Sequence, residues 1–248
     1  MDIENLREYL DKKEIETVAF DVDNTLMATD NYYIEHTREA VFLLAEKIDK
    51  NRDPIDIAKE FEVILFEEFE RNGKKPTVIN DEFINALEIY LGKKDESLEG
   101  LIGNYFKDFY KTVPTIHESI KDILERIIKT NRKIVLHSHA QKEWTAMKAQ
   151  KLSELVGIDI PYLATPIDEE KDVKNWLKAF SLVNANPKNT LVVGDNLMSD
   201  IVPSIEAGSK NVVFIRRNNE NIPEVYVNGK DINFLIISDI SELLDTLK

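Results

Sequence analysis

Five short apolar runs constrain this chain more than anything else in it. Thr17-Val18-Ala19-Phe20 stops on Asp21, Lys133-Ile134-Val135-Leu136-His137 on Ser138, and Leu191-Val192-Val193-Gly194 on Asp195. Asn211-Val212-Val213-Phe214-Ile215 and Phe234-Leu235-Ile236-Ile237-Ser238 follow the same form. Runs that are apolar throughout suit strands covered on both faces. Helical stretches lie between them: Trp144 to Val156 ending at Gly157, Lys171 to Leu182, and Asp200 to Ala207 closed by Gly208. Strands alternating with helices predict an α/β fold, a parallel sheet of five or six strands with helices on both faces.

One region breaks that rhythm. From about Asn31 to Lys111 the periodicity is helical throughout, with Ala40-Val41-Leu43-Leu44-Ile48, Phe61-Ile64-Leu65-Phe69, Phe83-Leu87-Leu91 and Leu101-Tyr105-Phe109 each at helical spacing. Gly73-Lys74-Lys75-Pro76 reads as a turn between two of these helices. The predicted organisation is a core of residues 1–27 and 113–248, interrupted by a helical insertion over 28–112.

Composition narrows the partners. With 43% hydrophobic and 31% charged residues the balance is globular rather than disordered. The net charge of −14 repels nucleic-acid backbone and anionic lipid, so no nucleic-acid partner is expected. It repels a phosphorylated substrate too, so a phosphate site would need local positive charge from backbone N–H groups, a lysine or a metal. The chain has no cysteine, which excludes disulfides, thiolate metal sites and cysteine nucleophiles. The acidic start Asp2-Ile3-Glu4 lacks the basic and apolar form of a secretory signal, and no window reaches the ~18 apolar residues of a membrane span. A cytoplasmic protein without a membrane partner is expected.

Ligands of an open parallel sheet bind at the carboxyl ends of its strands. Those ends carry Asp21 and Asp23, Ser138, and Asp195 with Asp200. Any one acid after a strand is an ordinary cap or turn former. Carboxylates converging from two strand ends repel one another unless a cation sits between them. Oxygen ligands alone suit Mg²⁺.

Phe20-Asp21-Val22-Asp23-Asn24-Thr25-Leu26 resembles the first signature of the haloacid dehalogenase-like (HAD) superfamily, Asp-x-Asp-x-Thr after an apolar strand. Leu136-His137-Ser138 is similar to its second motif, Lys171 to its third, and Val193-Gly194-Asp195 through Asp200 to its fourth. The order agrees, the resemblance spans about residues 15 to 240, and the insertion falls where the helical-capped (C1) subgroup carries its cap. The resemblance implies a Rossmann-like HAD fold and a Mg²⁺-dependent phosphatase acting on a small phosphorylated metabolite, with the cap closing over the strand ends to exclude water. It implies Asp21 as the nucleophile that forms an aspartyl-phosphate. Asp23 would be the acid and base, its backbone carbonyl also offered to the metal. Ser138 would hold a phosphoryl oxygen, Lys171 would neutralise charge between Asp21 and the phosphate, and Thr25 would belong to the substrate site. Asp195 and Asp200 would complete the metal site with Asp21 and Asp23. Asp23 favours esters over halides, because an alkoxide leaving group needs a proton and a halide does not. A phosphomutase and a silent binding scaffold share the same residues and stay open.

Several residues have two readings. Lys174 lies one helical turn after Lys171 and could take its place, though the interval from Lys171 to Trp176 and Leu177 fits the family better. Of His137 and His139, one would pack into the sheet and the other, His139, would touch substrate; a metal is the other possibility for the pair. Tyr32, Tyr33 and His36 could face a site, but aromatics at helical spacing are more often core. Arg71 to Lys75 and Arg216-Arg217 could steer an anion or simply be solvated.

Overall fold

The computed structural model describes residues 2–72, 79–216, 226–227, 230–231 and 234–247. Its centre is β1 (Thr17–Asp21), whose five residues are all buried. β1 pairs in parallel with β2 (Lys133–His139) on one side and β4 (Thr190–Gly194) on the other. β3 (Tyr162–Thr165), β5 (Asn211–Ile215) and β8 (Leu235–Ile237) complete a six-stranded parallel sheet in the order β3-β2-β1-β4-β5-β8. The five apolar runs are five of these strands. β3 was not legible, because Tyr162-Leu163-Ala164-Thr165 is short and only half-buried at an edge. Strand order runs one way from β1 through β2 to β3 and the other way from β4 through β5 to β8. The reversal lies between β1 and β4, the switch point at which open α/β sheets bind ligands. β6 (Tyr226–Val227) and β7 (Lys230–Asp231) form a separate antiparallel pair.

Alternation along β1 sorts side chains to two cores. Val18 and Phe20 enter one with Leu6 and Leu10 of α1 (Ile3–Lys12), Ile123 and Leu124 of α6 (Ile120–Lys129) and Ala149 and Leu152 of α7 (Lys142–Val156). α10 (Leu243–Thr246) adds Leu243 and Leu244 to the same face. Ala19 enters the other, with Trp176, Ala179 and Phe180 of α8 (Val173–Leu182). A turn of π-helix at Leu197–Ile201 leads into α9 (Val202–Glu206) on that side, so the helical stretch expected from Asp200 opens earlier, as a π turn. α8 likewise starts after its N-cap Asp172, so Lys171 stands before the helix rather than opening it.

The helical stretch forms α2 (Thr29–Ile48), α3 (Pro54–Asn72), α4 (Ile79–Leu91) and α5 (Glu96–Phe109). The chain divides into one unit of residues 1–29 and 114–248 and a second of residues 30–113. The second unit has its own aromatic core. Tyr32 donates to the Phe109 carbonyl at 2.6 Å, and the His36 ring nitrogen lies 2.8 Å from the Tyr105 hydroxyl. These aromatics therefore hold α2 against α5. Arg71 pairs with Glu68, while Gly73 to Pro76 and Arg217 lie outside the described residues. Among the described residues no helix is long and apolar enough to cross a membrane.

Glu82 of α4 is 2% exposed, and its Oε1 has no hydrogen-bond partner among the described residues. Burial first, then the charges of Glu68 and Asp81, push its carboxyl up from the ordinary 4.5 to about 7. Between those values the folded state keeps a proton that the unfolded chain has released, so stability from this group falls as pH rises through the window. Glu82→Gln mimics the neutral acid. It should match wild type near pH 4 and exceed it above pH 7 by up to about 3 kcal/mol, read from denaturant titrations at the two pH values.

Candidate active site

The chain reverses after β1 to build the first wall of the site. Leu26 and Met27 donate their N–H groups to the Val22 carbonyl at 3.0 and 3.1 Å, and Asn24 N–H reaches the Met27 carbonyl at 2.7 Å. Asn24 takes a left-handed φ of 64°, which a short amide side chain tolerates better than most. The turn leaves Asp21 and Asp23 beside each other with different surroundings.

Asp21 is 4% exposed. Its Oδ1 accepts from Lys171 Nζ at 2.6 Å, and the same ammonium donates to the His137 carbonyl at 3.0 Å and lies 2.6 Å from Asp200 Oδ1. Lys174, in contrast, is exposed on α8, so Lys171 is the lysine brought to Asp21. Burial, then Asp200, hold the Asp21 carboxyl well above the usual carboxylate range, against the pull of Lys171. Burial works to lower the Lys171 ammonium, but Asp200 and Asp21 outweigh it and hold it above its ordinary value.

Asp23 meets a different set. Its Oδ1 accepts from the Thr29 hydroxyl at 2.8 Å and from Lys148, and its Oδ2 from the Ser138 hydroxyl at 2.6 Å. Burial would raise this carboxyl; Lys148, Ser138 and Thr29 prevail and lower it. Ser138 has one hydroxyl proton, and it is spent on Asp23, so in this arrangement Ser138 meets a phosphoryl oxygen only by releasing Asp23. Lys148 is the residue that sequence reasoning missed. It sits inside an amphipathic helix among several lysines, and one signal was available: Trp144 stands four residues earlier, one turn away on the same face.

β4 supplies the opposite wall. Asp195 follows its end, and the Thr25 hydroxyl lies 3.5 Å from Asp195 Oδ1. Thr25 is thus buried against a carboxylate of the site. Asp200 is 1% exposed and its Oδ2 accepts from Asn196 N–H at 3.0 Å. Asn196 caps the following turn through Met198 and Ser199 N–H groups, and Trp176 Nε1 donates to the Ser199 carbonyl at 2.8 Å. The turn that carries Asp200 is held at both ends.

Ligand atoms of Asp21, Asp195 and Asp200 lie within 4.8 Å of one another. Asp21 Oδ2 is buried without a hydrogen-bond partner among the described residues. Carboxylate oxygens alone, closely spaced, with one orphaned buried oxygen, fit a hard divalent cation such as Mg²⁺. The Asp23 side chain is not in this group; it is turned to Lys148, Ser138 and Thr29. Of the two histidines, His137 is wholly buried, edge-on to Trp176 at 4.5 Å, with its Nε2 2.8 Å from the Thr165 hydroxyl. Burial first, then Lys171, push its imidazole well below the ordinary value. His139 is exposed, its Nε2 2.8 Å from the Glu169 carbonyl. Neither joins the carboxylate group.

Gly194 explains why the fourth motif needs its glycine. A Cβ there would lie 2.5 Å from Asp200 Cβ and 2.7 Å from its Cγ, so the backbone passes where any side chain would displace Asp200. Gly194→Ala should cost about 1–3 kcal/mol in denaturant titration. It should also shrink whatever rise in melting temperature Mg²⁺ gives the wild type, since Asp200 must move.

A family model described as haloacid dehalogenase-like hydrolase matches residues 15–208. No match is found among curated proteins. Among solved structures, the chain is similar to a haloacid dehalogenase-like family hydrolase from Xanthomonas campestris, at 18% identity over 94% of this chain and 96% of that one, TM-score 0.63. It is similar also to an HAD phosphatase from Thermococcus onnurineus, at 18% identity over 94% and 98%, TM-score 0.59. A 2-haloacid dehalogenase from Pseudomonas syringae gives 18% identity over 94% and 98%, TM-score 0.56. At these identities the likeness establishes the fold alone. The family match, which covers most of the chain, establishes the rest: this protein belongs to the haloacid dehalogenase-like hydrolases.

Proposed function

We propose that the protein is a Mg²⁺-dependent phosphatase that hydrolyses a small phosphomonoester through an aspartyl-phosphate on Asp21. The observation that carries this reading is the second carboxylate. Asp23 stands two residues after Asp21, held by Ser138 and Thr29, where ester cleavage needs a proton donor and acceptor. A halide leaves without a proton, so dehalogenation has no use for it.

Asp21, Asp195 and Asp200 would hold the cation, which when bound supplies charge neutralisation for the transferring phosphoryl group. The two oxygens of Asp21 then divide the work. Oδ2, without a hydrogen-bond partner, suits the cation; Oδ1, on Lys171, is left to attack phosphorus. Lys171 lowers the repulsion between that oxygen and the phosphoryl group as they approach. Asp23 is ionised when no anion lies beside it; the arriving phosphoryl anion raises its hold on a proton, and once protonated it is the acid. In the first displacement Asp21 Oδ1 bonds to phosphorus, the bond from phosphorus to the ester oxygen breaks, and the departing alkoxide takes that proton from Asp23. In the second, Asp23 accepts a proton from the attacking water, the Asp21–phosphorus bond breaks, and the Asp21 carboxylate returns. The Thr25 hydroxyl, 3.5 Å from Asp195 Oδ1, supports Asp195 at the edge of the site. The net charge of −14 makes the buried lysines at this rim the local attraction for an anionic substrate.

Phosphate release from a panel of small phosphomonoesters, with Mg²⁺ and with chelator, tests the reading. Release should depend on the metal, and Asp21→Asn should remove it while the protein stays folded; appreciable turnover by that variant would rule out the covalent route. Asp23→Asn should impair alkyl esters by about 10²-fold or more and activated aryl esters by less. Equal losses on both would count against an acid role for Asp23.

A further inference from the structure

Among the described residues two lysines are buried, and each sits on one aspartate of the first motif. Lys171 approaches Asp21 from the loop before α8. Lys148 approaches Asp23 from α7, on the opposite face of the sheet. The Lys148 side chain is 0% exposed. Its Nζ lies 3.4 Å from the Trp144 ring centroid, so the ammonium is held between an indole face and a carboxylate.

Packing alone does not call for a charge there. An apolar side chain of the same length fills the space without the desolvation cost of a buried ammonium. What the ammonium adds is a third donor to Asp23. Thr29 comes from the start of α2, Ser138 from β2 and Lys148 from α7, and together they engage both carboxylate oxygens. Hydroxyls rotate and can exchange one partner for another, as Ser138 would have to when it meets a phosphoryl oxygen. Lys148 cannot easily leave: its stem is packed inside α7's buried face and Trp144 lies against its head.

We infer that Lys148 is a positioning residue, which clamps the Asp23 carboxylate in place and keeps it there when Ser138 turns away. The inference rests on the ester-hydrolysis reading for its kinetic consequence, but its structural content stands apart from it. A misplaced Asp23 would still allow substrate to bind while slowing the steps in which a proton moves, so the loss belongs in kcat rather than KM.

The test is a double-mutant cycle with Lys148→Met, in wild-type and Asp23→Asn backgrounds, assayed on an alkyl phosphate and on nitrophenyl phosphate with Mg²⁺. For the alkyl ester, kcat should fall about 10²-fold with KM within about 3-fold, and the aryl ester should lose less. In the Asp23→Asn background Lys148→Met should add less than about 2-fold, and Lys148→Arg should recover part of the loss. A loss of the same size in both backgrounds, or one confined to KM, overturns the inference. Should Lys148→Met not fold, Lys148→Gln and Lys148→Arg carry the same cycle. Should wild type hydrolyse no ester, the ester reading fails, and the crystal structure of the Lys148 variant decides this one. An Asp23 carboxylate displaced from Ser138 and Thr29 upholds the clamp, and an unmoved one refutes it.

Discussion

Four carboxylates gathered at the ends of two neighbouring strands make the interaction on which the rest of this structure depends. Asp21 and Asp23 follow β1; Asp195 and Asp200 follow β4. In water such a group would disperse, since like charges a few ångströms apart each cost the others their ionised form. Here Lys171 and Lys148 compensate part of the charge from inside the protein. Two ammonium groups stand against four carboxylates, and the proposed divalent cation would supply the two positive charges that are missing. Burial first, and then the charge of Asp200, hold the Asp21 carboxyl well above the usual range.

The two lysines also show why a sheet covered on both faces suits this chemistry. Successive side chains of β2 alternate between faces, so Leu136 enters one core and His137 packs on Trp176 in the other. Ser138 then returns toward Asp23. A site at the end of such a sheet draws groups from both layers, and each aspartate of the first motif gets a cation from a different one. The roles divide with the environment: Asp21 among other carboxylates, Asp23 among donors.

Close packing keeps the arrangement rigid. Gly194 lets the end of β4 pass against Asp200, Asn196 caps the turn that carries it, and Trp176 holds the Ser199 carbonyl behind it. These contacts hold the second wall of carboxylates within 4.8 Å of Asp21. The whole constellation belongs to the unit of residues 1–29 and 114–248.

Much of this was legible in residue order alone, because local chemistry and periodicity are written there. Continuous apolar runs mark buried parallel strands, and acids placed just after them fall at the sheet's ligand-binding edge whatever the details. Asp21, Asp23, Asp195 and Asp200 could therefore be named without coordinates, as could the helical region from about Asn31 to Lys111. Tertiary structure alone decided the partners. Lys148 lies 125 positions from Asp23 in sequence, and only Trp144, one turn earlier on the same face, hints at which lysine of that helix is buried. The interval to Trp176 favoured Lys171 over Lys174, and the start of α8 puts the first inside and the second in solvent. Ser138 was expected to hold a phosphoryl oxygen, and only the fold shows that its hydroxyl also lies within reach of Asp23, since a hydroxyl bonds whichever acceptor the fold brings nearest. Sequence determined which groups could do chemistry; the fold, by choosing which charges are buried together, decided how each one is held.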